Sequence, residues 1–144
     1  MHLLQQFRDL PAVERKLLLW TFALAVAIRL LLWVVPFRFA RRLFSTRPAV
    51  SPALAQFPVK RLSWSVQASA KRIPGASCLT QALALHRLMV RAGHTADLRI
   101  GIAKDDASRL ASHAWLEHEG EILIGDNGDL DRYSPILAWS SEGH

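Results

Sequence analysis

With 144 residues, 51% of them apolar, the chain holds one compact domain of ordinary size plus an accessory segment, and not two full domains. Its single cysteine, Cys78, excludes an intrachain disulfide framework and suits a reducing cytoplasm, and without CxxC or paired Cys/His spacing no metal site is expected. The net charge of +6 is unevenly spread: residues 1–72 carry 12 Lys/Arg against Asp9 and Glu14, whereas residues 101–144 carry nine acids against Lys104, Arg109 and Arg132. Between Arg38 and Arg72 stand eight basic residues and no acid, which suits a membrane surface or an acidic peptide, or else a solvated linker. No nucleic-acid-binding motif accompanies that charge, so nucleic acid is not an expected partner.

The first predicted element is one long helix over residues 12–35, with Asp9 as a candidate N-cap, Pro11 near the first helical position and Pro36 as the stop. It is apolar almost all round. Residues 17–35 form a 19-residue window whose only charge is Arg29, close to the length that crosses a bilayer. Two placements stand side by side: burial against the rest of the protein or a partner, and membrane association through residues 12–35. The segment does not read as a secretory signal, because Pro36-Phe37-Arg38-Phe39-Ala40-Arg41-Arg42 follows it in place of a small-residue cleavage site. If the helix spans, the Arg-rich flank stays cytoplasmic, and so does the domain after it.

These features divide the chain into a helical accessory segment over 1–47, a Pro-rich linker over 48–58 and a main domain over 59–144. Residues 59–72 read as a helix with Leu62, Val66 and Ser69 at helical spacing, and Trp20 and Trp64 read as packing groups.

After a tight turn at Ile73-Pro74-Gly75-Ala76, Ser77 is placed to cap a helix running from Cys78 to Arg91, with Gly93 as its stop. Cys78 then sits in the first turn, where free N–H groups and the helix dipole favour a thiolate over a thiol. Leu79, Ala82, Leu83, Leu85, His86 and Met89 give this helix a broad apolar face; His86, His94 and His118 read as core or surface residues. Three strands follow: 96–103, 113–118 and 121–125, with a polar loop over 104–112, a two-residue turn at Glu119-Gly120 and another turn at Asn127-Gly128. Strand period pairs Glu121 with His118 and brings Asp126 beside His113. Cys78, His113 and Asp126 are the candidate nucleophile, base and orienter, with Asp129 and Asp131 competing for the third place. Asp126 reads equally well as a turn cap.

Pro74-Gly75-Ala76-Ser77-Cys78-Leu79, Ala82-Leu83-Ala84-Leu85, Arg91-Ala92-Gly93-His94, Leu98-Arg99-Ile100-Gly101-Ile102 and Ser112-His113-Ala114-Trp115-Leu116-Glu117 together resemble the B2 proteins of lasso-peptide biosynthesis. The resemblance covers residues 60–137. It implies an α+β, transglutaminase-like and papain-related fold, in which a nucleophile-bearing helix packs on a small antiparallel sheet behind a long apolar N-terminal helix. It implies a cysteine peptidase that removes a leader through an acyl-enzyme, with Cys78 as nucleophile, His113 as general base and acid, and Asp126 as third member. The implied partners are a precursor peptide, a separate leader-recognition protein and an ATP-dependent lasso cyclase. No cofactor is implied, and the absence of a GxxxxGK[ST] loop fits a step without nucleotide. Two other classes fit the same residues: a transglutaminase-like acyltransferase, and a non-catalytic membrane or partner adaptor in which Cys78 is core.

Overall fold

A computed structural model describes residues 2–35, 39, 42, 49–73, 77–104, 107–126, 128 and 130–140. Helices α1 (His2–Asp9), α2 (Ala12–Val34), α3 (Pro52–Ala55), α4 (Val59–Ala70) and α5 (Cys78–Arg91) precede a sheet of β1 (Asp97–Lys104), β2 (Leu110–His118), β3 (Glu121–Ile124) and β4 (Ser134–Ser140). The sheet is antiparallel in the order β3-β2-β1-β4. Helices followed by a small antiparallel sheet make the fold α+β, as expected.

The long helix forms over the predicted span, but its start differs. Asp9 ends α1, an element absent from the sequence reading, and Pro11 is the N-cap, its carbonyl accepting from the Arg15 N–H at 3.0 Å. Pro36 lies outside the described residues. Leu17, Thr21, Ala25 and Ile28 form a buried stripe on α2 that packs against α4 and α5. Polar contacts secure that seam. Thr21 Oγ1 lies 3.1 Å from Ser65 Oγ, which donates to the Leu62 carbonyl at 2.7 Å, and Arg61 Nε donates to Glu14 Oε1 at 2.7 Å. The segment expected as an accessory therefore shares a core with residues 59–124.

The Pro-rich stretch holds a short helix, because Pro52 sits well at a helix start and Leu54 is buried. Helix α4 buries Leu62, Val66 and Ser69 at the expected spacing. Trp20 and Trp64 do not enter the core: Trp20 is 38% exposed beneath Arg91, and Arg61 lies 4.2 Å from the Trp64 ring centroid.

Ser77 caps α5, its hydroxyl accepting from the Thr80 N–H at 3.2 Å. At the other end His94 N–H bonds the Met89 carbonyl at 2.8 Å and Gly93 N–H the Val90 carbonyl at 3.1 Å, the paired bonds of a glycine-terminated helix. Between these ends Leu83, Leu85, Leu88 and Met89 are fully buried with Leu98 of β1 and Leu116 of β2.

β2 begins at Leu110, not at His113, because Lys104 and Leu110 close the ladder with β1. Polarity alone predicts a loop over 104–112; cross-strand pairing overrides it there. β4 was not foreseen. It occupies the β1 edge, with a register shift between Ile100 and Gly101.

Burial, helped by neighbouring Arg87, pushes the His86 imidazole down from 6.5 to about 4, against a smaller opposing pull from Asp97. The unfolded chain thus binds a proton that the folded chain refuses between these values. Stability is full above pH 6.5 and falls as pH drops towards 4, by about 3 kcal/mol. Urea midpoints at pH 7 and pH 4.5 check this, and His86→Gln flattens the difference.

Candidate active site

Helix α5 starts at Cys78, whose side chain is half-buried against the edge of the core. The expected turn at Pro74-Gly75-Ala76 lies outside the described residues. Helix α5 packs on β2, and both elements end near His94 and His118, whose rings are 6.0 Å apart. Measured back from there, a 14-residue helix spans about 20 Å and the strand from His118 to His113 about 17 Å. Helix and strand thus share one end near His94 and His118, and Cys78 stands at the opposite end of α5.

Alternation along β2 sends Ala114 and Leu116 into the core shared with α5, and His113 and Trp115 towards the other side of the strand. There the His113 and Trp115 rings stack with centroids 6.2 Å apart, and Tyr133 lies 5.4 Å from His113. Gly101 stands across the ladder from His113, and a Cβ there would meet Tyr133 Cβ at 2.9 Å and the Trp115 ring at 3.3 Å. Only a residue without a side chain lets Tyr133 and Trp115 approach. Glu117 extends the row, accepting from Trp115 Nε1 at 3.1 Å and pairing with Arg99 at 3.0 Å.

His113 Nε2 lies 2.5 Å from the Gly125 carbonyl oxygen. A carbonyl only accepts, so Nε2 carries the proton and donates, and Nδ1 holds the lone pair. No hydrogen bond joins His113 to the Cys78 sulfur among the described residues.

The hairpin explains why Gly125 stands here. Glu119 (φ 50°) and Gly120 (φ 82°) form the expected two-residue turn, and His118 pairs with Glu121. A bulge between Leu116 and Glu117 then shifts the pairing by one, so that Leu116 faces Ile124. An unbroken ladder would set Asp126 opposite His113; the bulge takes Asp126 out of that register, the ladder ends at Ile124, and the Gly125 carbonyl just beyond it meets the ring. Asp126 is exposed, and its Oδ1 accepts from the Gly128 N–H at 2.9 Å, the turn-capping role that its place before Asn127-Gly128 also suggests. Asp131 is exposed in the short 3₁₀ turn Leu130–Arg132, and Asp129 and Asn127 lie outside the described residues.

Sequence reasoning missed Gly125, Tyr133 and Gly101. The Gly125-Asp126-Asn127-Gly128 run was visible as a turn, but nothing local shows which backbone carbonyl the bulge would present. Tyr133 is the chain's sole tyrosine, and only the pairing of β4 with β1 delivers it.

A helix beginning at a cysteine, laid on an antiparallel sheet with a histidine on the adjoining strand, defines a cysteine-centred α+β protein. The family model described as Transglutaminase-like superfamily matches residues 22–138, and the chain belongs to that superfamily. The match begins inside α2. No curated protein and no solved structure matches the chain. The superfamily includes cysteine peptidases and acyltransferases and is commonly catalytic through cysteine.

Gly125 has φ +89°, and a Cβ there would lie 2.6 Å from the Ala114 carbonyl and 2.8 Å from Trp115 Cβ. Gly125→Ala is expected to cost about 2 kcal/mol and to displace the carbonyl from His113. Thermal unfolding reads the first effect. Imidazole ¹⁵N shifts read the second, with the wild type showing the Nε2-protonated tautomer and the variant a mixture.

Proposed function

We propose that this protein is a cysteine peptidase that removes the leader from a ribosomally made lasso-peptide precursor. The observation that carries the reading is the His113 tautomer. With Nε2–H committed to the Gly125 carbonyl, Nδ1 is the free base. Because His113 faces the side of β2 away from α5 here, the reading requires a reacting conformer in which the imidazole turns past the strand to meet the Cys78 thiol.

Nδ1 takes the thiol proton, and the thiolate, favoured by the first turn of α5, attacks the carbonyl joining leader to core peptide. The backbone N–H of Cys78 donates to the oxyanion, and imidazolium Nδ1–H protonates the departing amine. Water, deprotonated by the same nitrogen, then releases the leader from the thioester. Asp126 acts on the ring from outside direct contact, by holding the turn that presents Gly125 and by placing a negative charge near the imidazolium. The step needs no cofactor. The partners are the precursor peptide, a separate leader-recognition protein and a lasso cyclase that uses the freed terminus, all in the cytoplasm.

Acyl transfer is the second reading, since the superfamily contains acyltransferases and the same thioester precedes both outcomes. Mass spectrometry of purified protein with a precursor and its leader-binding protein separates them: two fragments summing to precursor plus water indicate hydrolysis, a cross-link indicates transfer. An unreactive thiol with no product would favour a non-catalytic adaptor.

Cys78→Ala is expected to abolish product and His113→Ala to lower turnover by about 10³-fold or more. Asp126→Ala is expected to cost about ten-fold, because it supports the ring through the turn. Iodoacetamide should alkylate Cys78 rapidly at pH 6 and more slowly in His113→Ala. Turnover by Cys78→Ala near that of the wild type would end the proposal.

A further inference from the structure

Helix α2 has one side too many to be explained by the fold. Its buried stripe of Leu17, Thr21, Ala25 and Ile28 accounts for one face, yet only 22% of its most apolar 18-residue window is buried. The remaining face, from Leu19 to Val34, presents Leu19, Trp20, Phe22, Leu30, Trp33 and Val34, all exposed and none charged. Trp33 is 77% and Val34 78% exposed, and Leu19 and Leu30 are each more than half exposed. A contiguous apolar strip about 24 Å long is not a surface that water alone covers in a monomeric protein.

Cations stand on both long sides of the strip. On one side Arg29 and Arg72 line a groove of about 390 Å³ together with Phe22, Leu30 and Trp33, and Lys71 and Arg72 line its 590 Å³ neighbour with Leu19 and Phe22. On the other side the Arg91 guanidinium lies 5.1 Å from the Trp20 ring centroid, and exposed Lys16 precedes the strip. An apolar ribbon edged by guanidinium and ammonium groups matches an interfacial helix, with side chains entering the acyl boundary and cations reaching headgroup phosphates. Insertion across the bilayer is the poorer solution. It would peel α2 from α4 and α5, parting Thr21 from Ser65 and Glu14 from Arg61 and exposing the Leu17–Ile28 stripe.

We propose that α2 docks this protein on an anionic membrane surface by lying in the interface, its outer face in the lipid and its inner face still packed on the domain. The proposal is independent of the peptidase reading.

Co-sedimentation of the full chain with unilamellar vesicles tests it. Vesicles of phosphatidylcholine containing about 30% phosphatidylglycerol should bind the protein, and pure phosphatidylcholine should bind it at least several-fold less. Leu30→Glu and Trp33→Glu, at exposed positions, should each weaken binding about ten-fold with unchanged circular dichroism and Tm. Lys71→Glu combined with Arg72→Glu should remove the preference for anionic lipid, and alkaline carbonate should release bound protein. Absence of binding, undiminished binding by both glutamate variants, or carbonate-resistant protein overturns the proposal. So does failure to bind vesicles with a concentration-dependent dimer that Trp33→Glu dissolves, since the face then belongs to a second copy.

Discussion

The seam between α5 and the sheet is the constraint on which everything else rests. Leu83, Leu85, Leu88 and Met89 meet Leu98 and Leu116 with no exposed surface, and removal of such side chains from water contributes on the order of 2 kcal/mol each. That burial fixes the direction of α5 along β2 and sets the level at which its first residue emerges. A cysteine at that first residue is then positioned by the whole core, not by its own loop. Capping at both ends keeps the level from drifting: Ser77 satisfies the Thr80 N–H, and the Gly93 turn satisfies the last carbonyls.

On the sheet's other side, an aromatic row serves a different purpose. His113, Trp115 and Tyr133 hold one another by ring contact, and Glu117 and Arg99 close the row with charge. The row restrains the imidazole plane, while the Gly125 carbonyl selects its tautomer. Two glycines make this possible in distinct ways: Gly101 by leaving space for rings, Gly125 by adopting a backbone conformation that other residues resist. In the proposed mechanism a backbone carbonyl performs the orienting work that a carboxylate performs elsewhere, with Asp126 one residue further on as the brace of that turn.

Helix α2 shows how one apolar segment can answer two solvents. Its inner stripe carries Thr21, whose hydroxyl is satisfied by Ser65, so that face is built for protein contact. Its outer face has no polar group between Leu19 and Val34 except Arg29 at the edge, so that face suits lipid. The family match starts at Phe22 and so takes in most of the helix.

Much was legible in the chain itself. The span of α2, the limits of α5, its Ser77 cap and Gly93 stop, and the Glu119-Gly120 hairpin follow from periodicity and from residues whose backbone preferences act locally. The candidate nucleophile and base were visible for the same reason, as a cysteine at a helix start and a histidine on a strand. The orienting atom was not. A one-residue bulge at Leu116/Glu117 takes Asp126 out of register with His113, and the chain past Ile124 leaves the Gly125 carbonyl at the ring; bulges answer to packing between strands, which no local pattern encodes. The same holds for β4, for Tyr133 and for the true start of β2, each set by pairing with β1. Sequence determined which residues had the chemistry; only the folded sheet decided which of them, and which backbone carbonyl, meet the imidazole, because cross-strand register is a long-range property.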